Sequence, residues 1–187
     1  NKTNFITIDG EDSRDFDDAV WAQQKNNFFE IMVAISVVSY FVKENDILDD
    51  EAKKRANSFY FPNKVLPMFP ERISNDLCSL VPNKKKLCLI VYVKLTLNGK
   101  IINSKIFRAS IISKARFTYT QIEAYLSKKK KLNKELRNVV DSLYNVFKIL
   151  NKRSNVRGKI DLEIEEDKIE IDKDNENYKF VKRKNER

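Results

Sequence analysis

The chain contains no histidine. That absence removes the commonest general base, every Ser-His or Cys-His nucleophile pair and the usual zinc ligand. Any chemistry here must run on carboxylates, lysine, arginine, tyrosine or a hard metal ion. Cysteine is scarce too. Cys78 and Cys88 are the only two, both in apolar contexts ("NDLCSL", "KLCLIVYV") and without metal-ligand spacing. They read as buried reduced thiols rather than a disulfide, which points to a reducing compartment, most simply the cytoplasm. No apolar run approaches the length of a membrane span, so no membrane partner is expected, and no charged-then-apolar leader opens the chain. Neither an internal repeat nor a low-complexity linker is present. With 187 residues, 42% of them hydrophobic, the chain can bury a real core and suits one domain.

What is abundant is charge. Lysine and arginine number 36 against 27 aspartate and glutamate, a formal net charge of +9, and the basic residues come in runs at 83–87, 127–134 and 182–184. A basic surface draws polyanions, nucleic acid or an anionic membrane surface, and nucleic acid is the partner expected here. A base-composition bias would also yield a lysine-rich surface, so charge alone does not decide the function.

Along the chain, "FITID" is a short β-branched strand that ends on Asp9, and "FFEIMVAISVV" (28–38) is a near-continuous apolar strand of the doubly buried sort. "DDEAKKRANS" (49–58) has helical composition, with acids first and bases last. "FYFPNKVLPMFP" holds three of the four prolines and predicts an extended loop. "PERISNDLCSL" predicts a short helix opened by proline. "KLCLIVYVKLTL", the turn "NGK" and "IINSKIFRASIISKARF" predict a two-stranded hairpin. "YTQIEAYLS" and "LNKELRNVVDSLYNVFKILNKRS" predict two helices, the second with a buried stripe of Val139, Leu143, Val146, Phe147 and Leu150. "KIDLEIEEDKIEID" predicts two alternating strands. The fold class expected is α+β, a mixed sheet with flanking helices.

Against this basic background, the stretch "FITIDGEDSRDFDDAV" places six acidic side chains within ten residues: Asp9, Glu11, Asp12, Asp15, Asp17 and Asp18. A polar loop would account for them. Three features favour a metal cage instead. Asp9 sits at the end of a rigid strand, Phe16 and "AVW" tie the loop to a core, and Asp15, Asp17 and Asp18 lie close enough to face one centre with Asp9. Carboxylates without His or Cys suit Mg²⁺ or Mn²⁺, or Ca²⁺ where the geometry is looser. A calcium EF-hand loop counted from Asp9 fails, because Arg14 falls where glycine is needed and Val20 where the bidentate glutamate belongs. An aspartyl-phosphate nucleophile would follow directly on a strand, whereas "EDSR" precedes "DFDDAV". A carboxylate cage with positions left for phosphate oxygens and water remains, and two metals about 4 Å apart in such a cage perform nuclease chemistry.

At this point the residues resemble a family. "TIDGEDSRDFDDAV", "VAISVVSYFV", "SFYFPNKVLPMFPERISNDLCSL" and "SKARFTYTQI" look like successive blocks of the catalytic (RNB) domain of the ribonuclease II/ribonuclease R family, closest to the ribonuclease R branch. The match runs in order from about Phe5 to about Asp172. The resemblance implies a Mg²⁺-dependent 3′→5′ exoribonuclease, with Mn²⁺ as a possible substitute, that degrades single-stranded RNA processively to nucleoside 5′-monophosphates. Carried over residue by residue, it implies that Asp9, Asp15, Asp17 and Asp18 hold the metal and are catalytic, that Tyr60 stacks on the nucleotide, and that Tyr119 contacts substrate. Glu11 and Asp12 fall outside the catalytic four. Val37 stands in "AISVVS" where the family's block usually carries an aspartate. The family's catalytic domain has a further half, with an arginine segment on the scissile phosphate, and flanking OB-type RNA-binding domains. Residues 1–187 are therefore expected to be the N-terminal portion of the domain, inactive alone, from a monomeric parent. The rival readings are a non-catalytic RNA-binding remnant and a metal-binding structural domain.

Overall fold

Six stretches of alternating or continuous apolar residues pair into one sheet. They are β1 (Ile6–Asp9), β2 (Asp18–Gln24), β3 (Phe28–Ser36), β6 (Lys85–Thr96), β7 (Ile101–Ile112) and β8 (Ala115–Thr118), with β4 (Phe59–Tyr60) and β5 (Val65–Leu66) forming a separate small hairpin. The computed structural model describes residues 3–62, 64–160, 167–172 and 177–182. The strand order is β7-β6-β3-β2-β1-β8, antiparallel throughout except for the parallel β1–β8 pair. The fold is α+β with a mixed sheet, as the sequence predicts. Among the described residues three α-helices accompany it: α1 (Ile47–Arg55), α2 (Tyr119–Leu126) and α3 (Lys134–Val156). Among the described residues, no helix is long and apolar enough to cross a membrane.

The sequence predicts one strand over 101–117, but the structure breaks it at Ser113 and Lys114. β7 and β8 lie on opposite edges of the six-stranded sheet. In a flat sheet those edges would be about 24 Å apart, at roughly 4.8 Å per strand. The three chain steps from Ile112 to Ala115 reach only about 11 Å. The sheet must therefore curl until its edges approach at this end. The Lys114 N–H closes the seam by donating to the Phe5 carbonyl at 2.8 Å, and the Asn83 N–H donates to the Ser113 carbonyl at 2.8 Å. Inside the curl lies a cluster of Phe5, Phe16, Ala19, Ala34, Leu80, Cys88, Ile90 and Ile111. Cys78 and Cys88 are both buried and unbridged, and burial pushes the Cys88 thiol up to about 11.

The outer face of the sheet is covered by helices. Ile6 and Phe117 pack against Val139 and Val140 of α3, and Phe29 and Leu95 against Val146. The inward stripe of α3 runs through Leu136, Val139, Val140, Leu143, Val146 and Ile149. Phe147 and Leu150, expected in that stripe, are exposed at 58% and 41%. The three-residue steps to Val146 and Ile149 rotate the stripe away from them.

Local chemistry sets the element ends. The Asp46 carboxylate accepts the Asp49 N–H at 2.8 Å and starts α1 two residues ahead of the predicted segment. Gly99 turns the β6–β7 hairpin at φ +78°, and a Cβ there would lie 2.7 Å from Ile149. The proline-rich stretch is a hairpin rather than a plain loop, with Tyr60 opposite Val65. Pro62 and Pro67 fall outside its two-residue strands, where no N–H is required. The short helix after Pro70 is a wide π-type turn over Arg72–Leu77, closed by the Cys78 N–H on the Ile73 carbonyl at 2.8 Å. β9 (Asp167–Asp172) pairs with β10 (Asn177–Lys182). The first half of the predicted "KIDLEIEEDKIEID" pair lies outside the described residues.

Candidate metal centre

The acidic motif occupies the exit of β1, the start of β2 and the loop between them. Asp9 is the last residue of β1 and pairs in register with Thr118 of β8, while Asp18 is the first of β2 and pairs with Ile35 of β3. Both are thus anchored by sheet hydrogen bonding. The intervening loop is tied at its second half. The Ser79 hydroxyl accepts the Phe16 N–H at 3.0 Å and donates to the Arg14 carbonyl at 3.1 Å. The Leu80 N–H reaches the Phe16 carbonyl at 2.8 Å, and the Ser36 N–H reaches the Asp17 carbonyl at 2.8 Å. Phe16 itself is 7% exposed and plugs the interior cluster. The loop's first half is held by Arg116, whose Nη2 donates to the Gly10 and Glu11 carbonyls, each at 2.8 Å. The Arg116 guanidinium also lies 5.4 Å from the centre of the Phe16 ring.

Ser79 is fully buried, so its loss strands the Phe16 N–H without a partner. Ser79→Ala is expected to cost about 1–3 kcal/mol. That lowers the melting temperature by roughly 2–4 °C per kcal/mol in a chain of this size. Calorimetry showing no change would mean that Ser79 is not a tether.

The carboxylates lie within electrostatic reach of one another. The Asp9 carboxyl is held above the ordinary range, first by loss of hydration, then by Asp18, with Arg116 opposing and Asp15 and Asp17 adding. Lost hydration, followed by Asp15 and Asp18, likewise raises Asp17, and lost hydration raises Asp18. Asp17 and Asp18 still face solvent. Asp9 Oδ2 is buried without a hydrogen-bond partner among the described residues. Three carboxylates partly stripped of water, Asp9, Asp17 and Asp18, with Asp15 within electrostatic reach and one Asp9 oxygen unpaired, are a donor set that fits a hard divalent cation. Among the described residues, no three acidic or thiol side chains already close on one coordination point.

The remaining predicted residues divide. Tyr119 opens α2 directly after Thr118, the register partner of Asp9, and is 51% exposed. It is therefore at the same end of the sheet as the acids. The capping box between Thr118 and Gln121 fixes this junction. Tyr60 is 71% exposed on the β4–β5 hairpin, between exposed Phe59 and Phe61. Ser79 and Leu80, beyond the hairpin and the π-type turn in sequence, are the points where this stretch of chain bonds the acidic loop. Val37 lies one residue past Ser36, beside the Asp17 tether. Arg116 and Ser79 carry no role in the sequence reading, although each lies within a quoted block. Their partners lie 106 and 65 residues away in sequence, and only the fold brings them together.

The fold and the site define an α+β domain that gathers carboxylates at the strand ends of a curled mixed sheet. The chain belongs to the RNB domain family, whose model matches residues 1–187. It is 39% identical over 170 residues to ribonuclease R of Mycoplasmopsis pulmonis, covering 91% of this chain and 23% of that protein. It is 41% identical over 169 residues to ribonuclease R of Escherichia coli K12, covering 88% of this chain and 21% of that protein. The solved structure of Mycoplasma genitalium RNase R in complex with double-stranded RNA superposes with a TM-score of 0.90 at 32% identity, over 96% of this chain and 33% of that one. The chain thus spans about a fifth to a quarter of the length of the curated relatives it matches.

Proposed function

We propose that the chain carries the metal-binding carboxylates of a 3′→5′ exoribonuclease that hydrolyses single-stranded RNA processively to nucleoside 5′-monophosphates. The observation that supports the reading is the placement of Asp9, Asp15, Asp17 and Asp18 at one end of the sheet within electrostatic reach of one another, with Asp9, Asp17 and Asp18 partly desolvated. Such a cluster costs stability unless a cation sits among it. Asp9, Asp15, Asp17 and Asp18 would hold Mg²⁺, or Mn²⁺ in its place. When bound, the metal would activate water and offset charge building on the phosphodiester. The chain's own residues supply the rest. Sheet register fixes Asp9 and Asp18, Tyr119 follows the register partner of Asp9 in sequence and is exposed, and the net charge of +9 draws the polyanion. The test is release of mononucleotides from labelled single-stranded RNA by the intact protein with Mg²⁺ and with chelator. No metal-dependent release would refute hydrolysis.

A second reading, RNA binding without hydrolysis, is favoured by Val37, an apolar residue beside the Asp17 tether where the family block usually has an acid. The same assay separates the two, since this reading expects salt-sensitive binding and no mononucleotide.

In the hydrolytic reading, Tyr60 stacks on the terminal base. Its ring is already exposed, on a hairpin flanked by prolines that lower the entropy cost of holding it in place. Stacking is worth about 1–3 kcal/mol per base, a large share of the grip on a short oligonucleotide and a small one on long RNA. Tyr60→Ala is expected to leave activity on long RNA largely intact and to stop earlier, giving a longer end product on a denaturing gel. An unchanged end product would return Tyr60 to packing.

A further inference from the structure

We propose that Arg116 is a positioning residue that sets the carboxylate spacing by clamping the chain where it leaves β1; this rests on the metal-binding reading above. The two halves of the acidic loop are secured differently. Arg14 to Asp17 are tied by Ser79, Leu80 and Ser36, and Phe16 is buried. Between Asp9 and Ser13 the loop has one internal turn, a 3.3 Å bond from the Ser13 N–H to the Gly10 carbonyl. The guanidinium of Arg116 supplies what this half otherwise lacks. One nitrogen, Nη2, bonds two consecutive carbonyls, Gly10 and Glu11. The ring of Phe16 flanks the guanidinium, linking the first half of the loop to the second. Arg116 pairs in register with Thr7 on the parallel β1 strand, so the side chain springs from a fixed point two residues before Asp9. Its Nε is buried without a partner among the described residues, so the side chain stays in place without full satisfaction of its donors.

Charge and clamp predict opposite results when Arg116 is removed. A cation beside a cation-binding cluster repels the metal, so if only charge mattered, Arg116→Met would tighten Mg²⁺ binding and Arg116→Lys would leave it unchanged. If the clamp matters, both variants loosen the path from Asp9 to Asp15 and weaken binding. Lysine brings a point charge on a shorter, flexible stem and lacks the planar guanidinium that lies against Phe16, so it does not hold one nitrogen between the two carbonyls. Groups that orient metal ligands typically contribute 10–100-fold in affinity.

The experiment is a calorimetric titration of Mg²⁺ into the intact protein and into Arg116→Lys and Arg116→Met, with metal-free melting temperatures measured alongside. The expected result is at least about tenfold weaker binding in both variants, with lysine giving no rescue. Tighter binding by Arg116→Met, or wild-type binding by Arg116→Lys, overturns the clamp. So does a lowered melting temperature with unchanged affinity of the folded protein, the signature of a merely structural arginine. Should the methionine variant not fold, the lysine variant alone decides by the same criterion. A wild-type protein that does not bind Mg²⁺ overturns the metal reading itself, and the clamp with it, whereas wild-type binding with unaltered variants overturns the clamp only.

Discussion

Asp17→Asn is expected to abolish turnover by the intact protein while leaving its grip on RNA in place. Asp17 stands at the threshold of β2, and its backbone carbonyl accepts from the Ser36 N–H at 2.8 Å. An isosteric amide leaves that tether untouched. What it removes is a solvent-facing carboxylate held above the ordinary range by lost hydration and by Asp15 and Asp18. Relief of that repulsion favours the fold, so collapse of the site is not the expected cause of inactivity. Metal stabilisation of a phosphoryl transition state is worth several kcal/mol. At 1.36 kcal/mol per tenfold, a loss of about 4 kcal/mol slows hydrolysis about a thousandfold. RNA binding responds differently, because deleting an anion from a basic protein does not weaken attraction for a polyanion. Single-turnover mononucleotide release and filter binding, measured on the same preparation, separate the two. Equal loss of both would make Asp17 a structural residue.

The parts of this site that sequence discloses are those carried by neighbours in the chain. Asp9 at a strand end and Phe16 as an anchor follow from residues within a few positions of one another; the α1 cap at Asp46 is just as local, yet the segment read from 49 misses it. The β6–β7 hairpin is equally local, because Asn98–Gly99 specifies the turn and the apolar run specifies the strands. What sequence hides is whatever depends on the sheet curling. The break at Ser113 and Lys114 has no Gly or Pro to announce it; it follows from β8 having to cross to the far edge and pair with β1. That crossing brings Arg116 beneath the acidic loop, 106 residues from Gly10. Ser79 reads as one more small residue in "LCSL" until its hydroxyl is found bridging the Arg14 carbonyl and the Phe16 N–H. The proline-rich hairpin is hidden for another reason. Two prolines fall just outside strands of two residues each, too short for alternation to show.

Mg²⁺ is expected to raise the melting temperature at neutral pH far more than in mild acid, and the pH dependence identifies the groups responsible. Asp9, Asp17 and Asp18 have folded-state values above the ordinary carboxylate value. The folded chain therefore binds these protons more tightly than the unfolded chain does. Without metal, their charge costs stability at pH 7. That cost is relieved as pH falls from the raised values to the unfolded value of about 3.9, with nothing further gained below it. Asp46 and Asp49 have lowered values, Asp46 through backbone N–H groups first and Asp49 through Lys53 first. Their stabilisation is lost only as pH falls below the ordinary carboxylate value, so the two windows adjoin without overlapping. Magnesium needs the site ionised and competes with those protons. At a concentration 100 times its dissociation constant it adds about 2.7 kcal/mol. For a chain of this size that is a rise of roughly 5–11 °C at pH 7. The rise should shrink as pH drops through the raised values, and should be much smaller at any pH in Asp17→Asn. Calorimetric scans with Mg²⁺ and with chelator, in steps from pH 7 down to the ordinary carboxylate value of about 3.9, supply the measurement. A chain whose melting temperature ignores Mg²⁺ at pH 7 would leave the carboxylates as an uncompensated cluster and end the case for a metal among them.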